Sequence, residues 1–140
     1  MKNKSIILLL FILVTLTSSI PALAGDDTNP LFVTITAKSC YSCQKLKPVV
    51  ESLKESYSDR ITFLTLDVSS KSSIDESREI ADQYGVSDFF ENNKSTLPKV
   101  GIICPGGKKV EKEFLGEINQ EVYVNALDEL LADSYQICSL

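Results

Sequence analysis

The hydrophobic and polar positions of this chain alternate between two periods, which predict strands and helices in turn. A β-branched and aromatic run at residues 31–36 predicts a buried strand. From Cys40 to about Tyr57 the apolar residues recur every three or four positions, which is the spacing of a helix that buries one face. That face is formed by Leu46, Val49, Val50, Leu53 and Tyr57. The domain therefore begins with a strand and an amphipathic helix.

The same alternation continues through the middle of the chain. Residues 61–68 are mostly apolar and predict a second strand, buried on both faces. A helix follows, with Ser73 as its N-cap and Glu76 completing a capping box, and it ends at about Tyr84. Residues 87–96 are predicted to form a loop.

The last third of the chain predicts a hairpin and a helix. Strands are expected at residues 99–104 and 110–115, and the short turn at residues 105–107 requires them to be antiparallel. Asn119 is the expected cap of a final amphipathic helix. The predicted order is β-α-β-α-β-β-α, an α/β fold with a central mixed sheet flanked by helices, because the first crossover requires a parallel pair of strands.

The N-terminal segment has the three parts of a secretory signal peptide. Residues 1–4 are basic, residues 6–16 are almost wholly apolar, and Ala22-Leu23-Ala24 fits a small-residue cleavage site. We therefore expect residues 1–24 to be a signal peptide and residues 25–140 to be one exported domain, periplasmic in a Gram-negative host and otherwise secreted. The alternative is an uncleaved anchor, although the apolar run is shorter than the roughly 18 residues of a membrane span.

Composition excludes several classes of function. The net charge is −5, and without Lys2 and Lys4 the 14 basic residues become 12 against 19 acidic ones, for a net charge of −7. Such a surface is poorly suited to nucleic acid or to anionic lipid. The chain has no His, which excludes histidine acid–base catalysis and removes the commonest metal ligand.

The strongest chemical signal is a pair of cysteines, Cys40 and Cys43, at the start of the first helix. One helical turn brings two such residues within disulfide range. The positive end of the helix dipole favours the thiolate of the first cysteine, and the thiolate is the nucleophile. We therefore expect Cys40 to attack a substrate disulfide and Cys43 to resolve the mixed disulfide, with no cofactor beyond the cysteine pair.

With these features the chain resembles the thioredoxin-like proteins over roughly residues 31–132. The resemblance is carried by the strand before Cys40-Tyr41-Ser42-Cys43, by Pro48 in the following helix, by Tyr84-Gly85-Val86, by Leu97-Pro98 and by Gly116. It implies a minimal thioredoxin-like fold and an exported thiol–disulfide oxidoreductase that acts on protein substrates with a separate redox partner.

The resemblance also implies residues that contact the substrate. Pro98 is expected to be cis and to face the dithiol, and the backbone of Leu97 is expected to hold a substrate strand beside the reactive sulfur. Tyr41, between the two cysteines, is expected at the same surface. Because the Tyr41-Ser42 pair lacks the His of the family's strong oxidants, the direction of exchange stays open, with a mild preference for a reductant.

One departure from the family concerns the proton of the second cysteine. Thioredoxin has a buried Asp and a nearby Lys that assist its transfer, and Thr34 and Thr65 are the matching positions here. Either resolution lacks this base, or Asp67 substitutes for it from a different angle.

Two further cysteines, Cys104 and Cys138, follow the third strand and the last helix. If that helix runs parallel to the third strand, both lie at one end of the fold, and we expect a structural disulfide between them. The alternatives are two unpaired thiols or a second redox relay. A four-cysteine zinc site and copper binding by the dithiol are disfavoured without His, so no metal site is predicted.

Phe89 and Phe90 lie in the predicted loop that leads to Pro98. They form either a hydrophobic lip that binds a substrate or partner, or a small core under the loop. The first possibility supports a second hypothesis: the domain is a binding module with a stably oxidised, non-catalytic disulfide.

Overall fold

The computed structural model describes residues 28–139, and the predicted signal peptide lies outside this range. The elements in chain order are β1 (Leu31–Thr36), α1 (Tyr41–Tyr57), β2 (Thr62–Asp67), α2 (Lys71–Gln83), α3 (Ser87–Asn93), β3 (Lys99–Ile103), β4 (Val110–Leu115) and α4 (Gln120–Cys138). A short 3-10 turn at Pro105–Gly107 joins β3 to β4. None of the helices in this range is long and apolar enough to cross a membrane.

The four strands form one mixed sheet in the order β2-β1-β3-β4. β1 pairs parallel with β2 and antiparallel with β3, and the β3–β4 hairpin is antiparallel. This arrangement confirms the predicted α/β fold. Since β1 is an inner strand, its residues from Leu31 to Ile35 are all buried, as expected of a strand covered on both faces.

Two hydrophobic layers cover the two faces of the sheet. On one face Phe32 packs with Leu46 and Leu53 of α1 and with Tyr123 and Leu127 of α4. On the other face a second cluster of buried residues holds the sheet against α2 and α3; it includes Val33, Ile35, Leu66, Ala81 and Phe90. The segment that follows β1 therefore starts from a strand that is packed on both faces.

The prediction that β2 is buried on both faces was wrong. Leu64 and Leu66 are buried, but Thr65 is exposed. β2 lies at the edge of the sheet, and no further strand of the described chain covers its outer side. Leu64 and Leu66 are buried in the layer beneath α2 and α3, whereas on the opposite face Phe63 is only partly buried against the α1 and α4 layer.

The predicted N-cap of the second helix was also wrong. The cap is Ser70, whose side chain accepts a hydrogen bond from the Ser73 backbone N–H at 3.1 Å. Ser73 in turn accepts from the Ser70 N–H at 2.9 Å, so the two serines satisfy each other's backbone donors in a reciprocal capping box. Glu76 has no part in it, because the helix starts three residues earlier than predicted.

Residues 87–96 are not a loop, because Ser87–Asn93 forms α3. Phe89 and Phe90 are both buried, Phe90 completely, so of the two predicted alternatives the small core is confirmed and the substrate-binding lip is wrong. The ring of Phe89 covers Gly101 so closely that a Cβ there would approach Phe89 Cζ to 2.6 Å. Burial of the two aromatic rings stabilises a helix that is too short to be stable alone.

A disulfide fixes the C-terminal end of the fold. Cys104 and Cys138 are joined with their Cα atoms 5.5 Å apart, and Cys104 is completely buried. Asn119 caps α4 as predicted, with its side chain accepting from the Glu121 N–H at 3.0 Å. The Lys109 ammonium donates to the Ile137 carbonyl at 3.2 Å, so the end of α4 is held to the β3–β4 connection by a covalent bond and a hydrogen bond.

Candidate active site

Cys40 is positioned as the N-cap of α1, immediately after the loop that leaves β1. It has extended backbone angles, and its N–H donates to the Ala37 carbonyl at 3.1 Å. Its Sγ accepts a hydrogen bond from the Cys43 backbone N–H at 3.2 Å. A donor aimed at the sulfur and the positive end of the helix dipole both stabilise a thiolate over a thiol. When the pair is reduced, Cys40 is therefore favoured as the nucleophile.

The structure shows Cys40 and Cys43 joined in a disulfide, with their Cα atoms 5.2 Å apart. Their environments differ, because Cys40 is only partly buried whereas Cys43 is 4% exposed. A substrate disulfide can reach the first sulfur but not the second. This asymmetry assigns attack to Cys40 and leaves Cys43 as the resolving group.

The Leu97–Pro98 peptide bond is cis, and strand register places it at the dithiol's end of the sheet. Ile35 pairs with Lys99, so Pro98 lies beside the end of β1, from which the chain leads directly to Cys40. The Pro98 carbonyl accepts from the Gly116 N–H at 2.9 Å. The partly buried side chain of Leu97 packs on the core around α2 and α3.

Two exposed apolar side chains belong to the same end of the sheet. Tyr41 is 71% exposed, with the Lys45 ammonium 5.4 Å from its ring centroid. Leu115 was not predicted; it is exposed and pairs with Lys99, next to Pro98. The signal for it was available in the adjacent apolar residues Phe114 and Leu115, because successive strand residues point to opposite faces and only one of them could be buried.

The buried side of the dithiol borders a groove of about 440 Å³ between α1 and the β1–β2 edge. Cys43, Thr34, Thr65 and Asp67 are among its lining residues. In the described part of the chain, Thr34 Oγ1 is a buried side-chain oxygen without a hydrogen-bond partner. Thr34 and Thr65 are register partners, and neither hydroxyl is an acid or base at neutral pH.

The charged groups of the groove come from three places. Lys38 belongs to the loop before Cys40, Lys47, Glu51 and Lys54 to α1, and Asp67 to the end of β2. Asp67 Oδ1 accepts from the Ser69 backbone N–H at 2.8 Å. Within residues 28–139, no three Cys, Asp or Glu side chains are grouped so that they could hold a metal ion.

Comparison with known proteins agrees with this geometry. The thioredoxin family model matches residues 22–125. A thioredoxin of Alicyclobacillus acidocaldarius is 30% identical over 82% of this chain and 89% of its own length. A thioredoxin of Chlorobaculum thiosulfatiphilum is 28% identical over 74% of this chain and 82% of its own.

Solved structures show the same fold. The germline-specific thioredoxin Deadhead of Drosophila melanogaster superposes with a TM-score of 0.52 at 17% identity, covering 74% of this chain and 83% of that one. The family model, the thioredoxin relatives and the cysteine pair at the N-terminus of α1 all support the same family assignment. The chain belongs to the thioredoxin family and is a thiol–disulfide oxidoreductase.

Proposed function

We propose that this protein is exported and exchanges disulfides with protein substrates through Cys40 and Cys43, acting as a reductant. The observation that carries the proposal is the placement of Cys40, a partly buried residue whose sulfur caps a helix and accepts a backbone hydrogen bond. That placement supports a reactive thiolate rather than an inert structural cysteine.

The exchange takes place in two steps. The Cys40 thiolate attacks one sulfur of a substrate disulfide, a Cys40–substrate bond forms, and the other substrate sulfur leaves as a thiolate. Cys43 then loses its proton and attacks Cys40 Sγ, which releases the second substrate thiolate and leaves the Cys40–Cys43 disulfide. Two electrons pass from the protein to the substrate, and the thiolates released take up protons.

Substrate positioning is proposed for the surface around Leu97 and Pro98. Their place next to the end of β1 supports main-chain contact between Leu97 and an extended substrate segment. Tyr41 and Leu115 offer exposed apolar area at the same end of the sheet, which suits contact with an apolar substrate segment. Phe89 and Phe90 are not included, since both are in the core.

The direction of exchange is predicted from the residues between the cysteines. Tyr41 and Ser42 provide no cationic side chain to stabilise a thiolate as strongly as an oxidant requires. We expect a Cys40–Cys43 reduction potential nearer to about −270 mV than to about −120 mV, which are the values of a reducing and an oxidising member of this fold. Equilibration with glutathione buffers, followed by thiol counting, measures it. A potential near about −120 mV would contradict the role of reductant.

Export is proposed from the tripartite N-terminal segment. We expect the chain to be cleaved after Ala24, so that the protein recovered outside the cytoplasm begins at Gly25. Intact-mass measurement of that protein tests this expectation. Recovery of the full 140-residue chain from the membrane fraction would instead identify an uncleaved anchor.

The alternative of a binding module is not supported by the structure. Its expected contact surface was the pair Phe89 and Phe90, and both side chains are buried.

A further inference from the structure

Resolution of the mixed disulfide requires a proton acceptor for Cys43. Only the thiolate attacks a disulfide, and a thiol shielded from water resists ionisation. Cys43 is 4% exposed and lines the same groove as Thr34, which is not a base. The acceptor must therefore be reached through the groove that Cys43 lines.

The groove leads from Cys43 to a carboxylate. Thr34, on β1, and Asp67, at the end of β2, line the same space as the Cys43 side chain. At about 440 Å³ the groove has ample room for water, and its hydroxyl and carboxylate groups provide the polar partners that an ordered water needs. A chain of hydrogen bonds from the sulfur to the carboxylate fits within it.

Thr34 gives independent support for such a chain. It is 5% exposed, and its Oγ1 has no hydrogen-bond partner in the described part of the protein. A buried hydroxyl left unpaired costs about 1–3 kcal/mol. Water in the groove removes this cost, and the hydroxyl can then accept a proton on one side while donating on the other.

We propose that Asp67 is the proton acceptor for Cys43 in the resolving step, with the Thr34 hydroxyl and groove water relaying the proton. This inference rests on the proposed function of the dithiol. The Cys43 thiol gives its proton to the relay, the Asp67 carboxylate takes it up, and the Cys43 thiolate attacks Cys40 Sγ. The substrate thiolate leaves, and Asp67 returns the proton to solvent.

The other charged groups around the groove have different roles. Glu51 lies on α1, is largely exposed, and has Lys47 as its ion-pair partner at 3.9 Å. Lys38, Lys47 and Lys54 are cations, and they favour a thiolate without accepting its proton. Asp67 is held in place by Ser69, so its carboxylate is oriented before the reaction.

The test is a stopped-flow reaction of the reduced protein with the aromatic disulfide dithiobis-nitrobenzoate. Selective reduction leaves Cys104–Cys138 oxidised, which a count of two free thiols verifies. One coloured thiolate is released when Cys40 attacks and a second when Cys43 resolves, so the two steps are separate phases. Asp67→Asn is expected to slow the second phase about tenfold near pH 7 and to leave the first within about twofold. The difference in second-phase rate between Asp67→Asn and the unmodified protein should disappear towards pH 10, because hydroxide then deprotonates Cys43.

Companion variants distinguish the relay from a structural effect. Thr34→Val is expected to slow the second phase severalfold, Asp67→Glu to restore most of its rate, and Glu51→Gln to leave both phases unchanged. A second phase that Asp67→Asn does not slow, or slows equally at every pH, would overturn the proposal. A missing first phase in the unmodified protein would instead refute the proposed function.

Discussion

Replacement of Cys40 by serine is expected to lower the rate of catalysed reduction of a protein disulfide such as insulin by more than about a hundredfold. Cys40 is the sulfur at the helix cap, and it alone of the pair is accessible to a substrate. A serine hydroxyl in the same place is not ionised at neutral pH and forms no disulfide. Precipitation of reduced insulin in the presence of a dithiol measures the loss.

A Cys43→Ser variant is the matched comparison, because it keeps the nucleophile and removes the resolving group. We expect it to lose turnover as well, but only after the first step, so that it accumulates as a mixed disulfide with its substrate. Unchanged turnover in Cys40→Ser would contradict the assignment of the nucleophile.

Removal of the second disulfide is expected to lower the stability of the fold and to spare the chemistry. In a Cys104→Ala/Cys138→Ala variant the free energy of unfolding should fall by about 2–4 kcal/mol, since the bridge closes a long loop in the unfolded chain. The cysteines are 34 residues apart. Thermal or urea unfolding gives the stability, and insulin reduction at low temperature should remain near the unmodified rate.

The Cys40–Cys43 pair provides an internal control for this experiment. It joins residues only three positions apart, so a Cys40→Ala/Cys43→Ala variant should lose less stability while losing all activity. If removal of Cys104 and Cys138 left stability unchanged, the two cysteines would behave as thiols of a loose terminus. If it abolished activity in a folded protein, they would form a redox relay.

Elements with a strong local pattern were predicted from the sequence. β4 has the predicted bounds, and α1 begins and ends within one residue of them. These elements combine a regular period with clear end signals, so local information was sufficient. The cap of α2 was misplaced because Ser70 and Ser73 both have capping side chains, and the choice between them depends on where the chain leaves β2.

Features that depend on tertiary packing were not predicted. α3 is short and polar apart from Phe89 and Phe90, and it forms because the Phe89 ring covers Gly101 and the Phe90 ring is buried in the core beneath the sheet. The edge position of β2 depends on strand order, which an apolar run does not reveal. Because both aromatic rings are buried, they do not form a substrate-binding lip at the candidate site.

The dithiol was predictable because its chemistry follows from two cysteines three positions apart at the start of one helix. The groove was not, since it is formed by residues from β1, the loop before Cys40, α1 and β2. The sequence showed that Thr34 stands where thioredoxin has a buried Asp. Only the structure showed that the Thr34 hydroxyl is unpaired and that Thr34 and Asp67 line the same groove.

The most direct test of the division of roles between Cys40 and Cys43 is mass spectrometry of trapped substrate adducts. Cys40→Ser and Cys43→Ser are each incubated with a disulfide-bonded protein substrate and then alkylated. The account predicts one substrate chain linked through Cys40 in Cys43→Ser and no adduct in Cys40→Ser. An adduct linked through Cys43 in Cys40→Ser, or the absence of any adduct on Cys40, would contradict it.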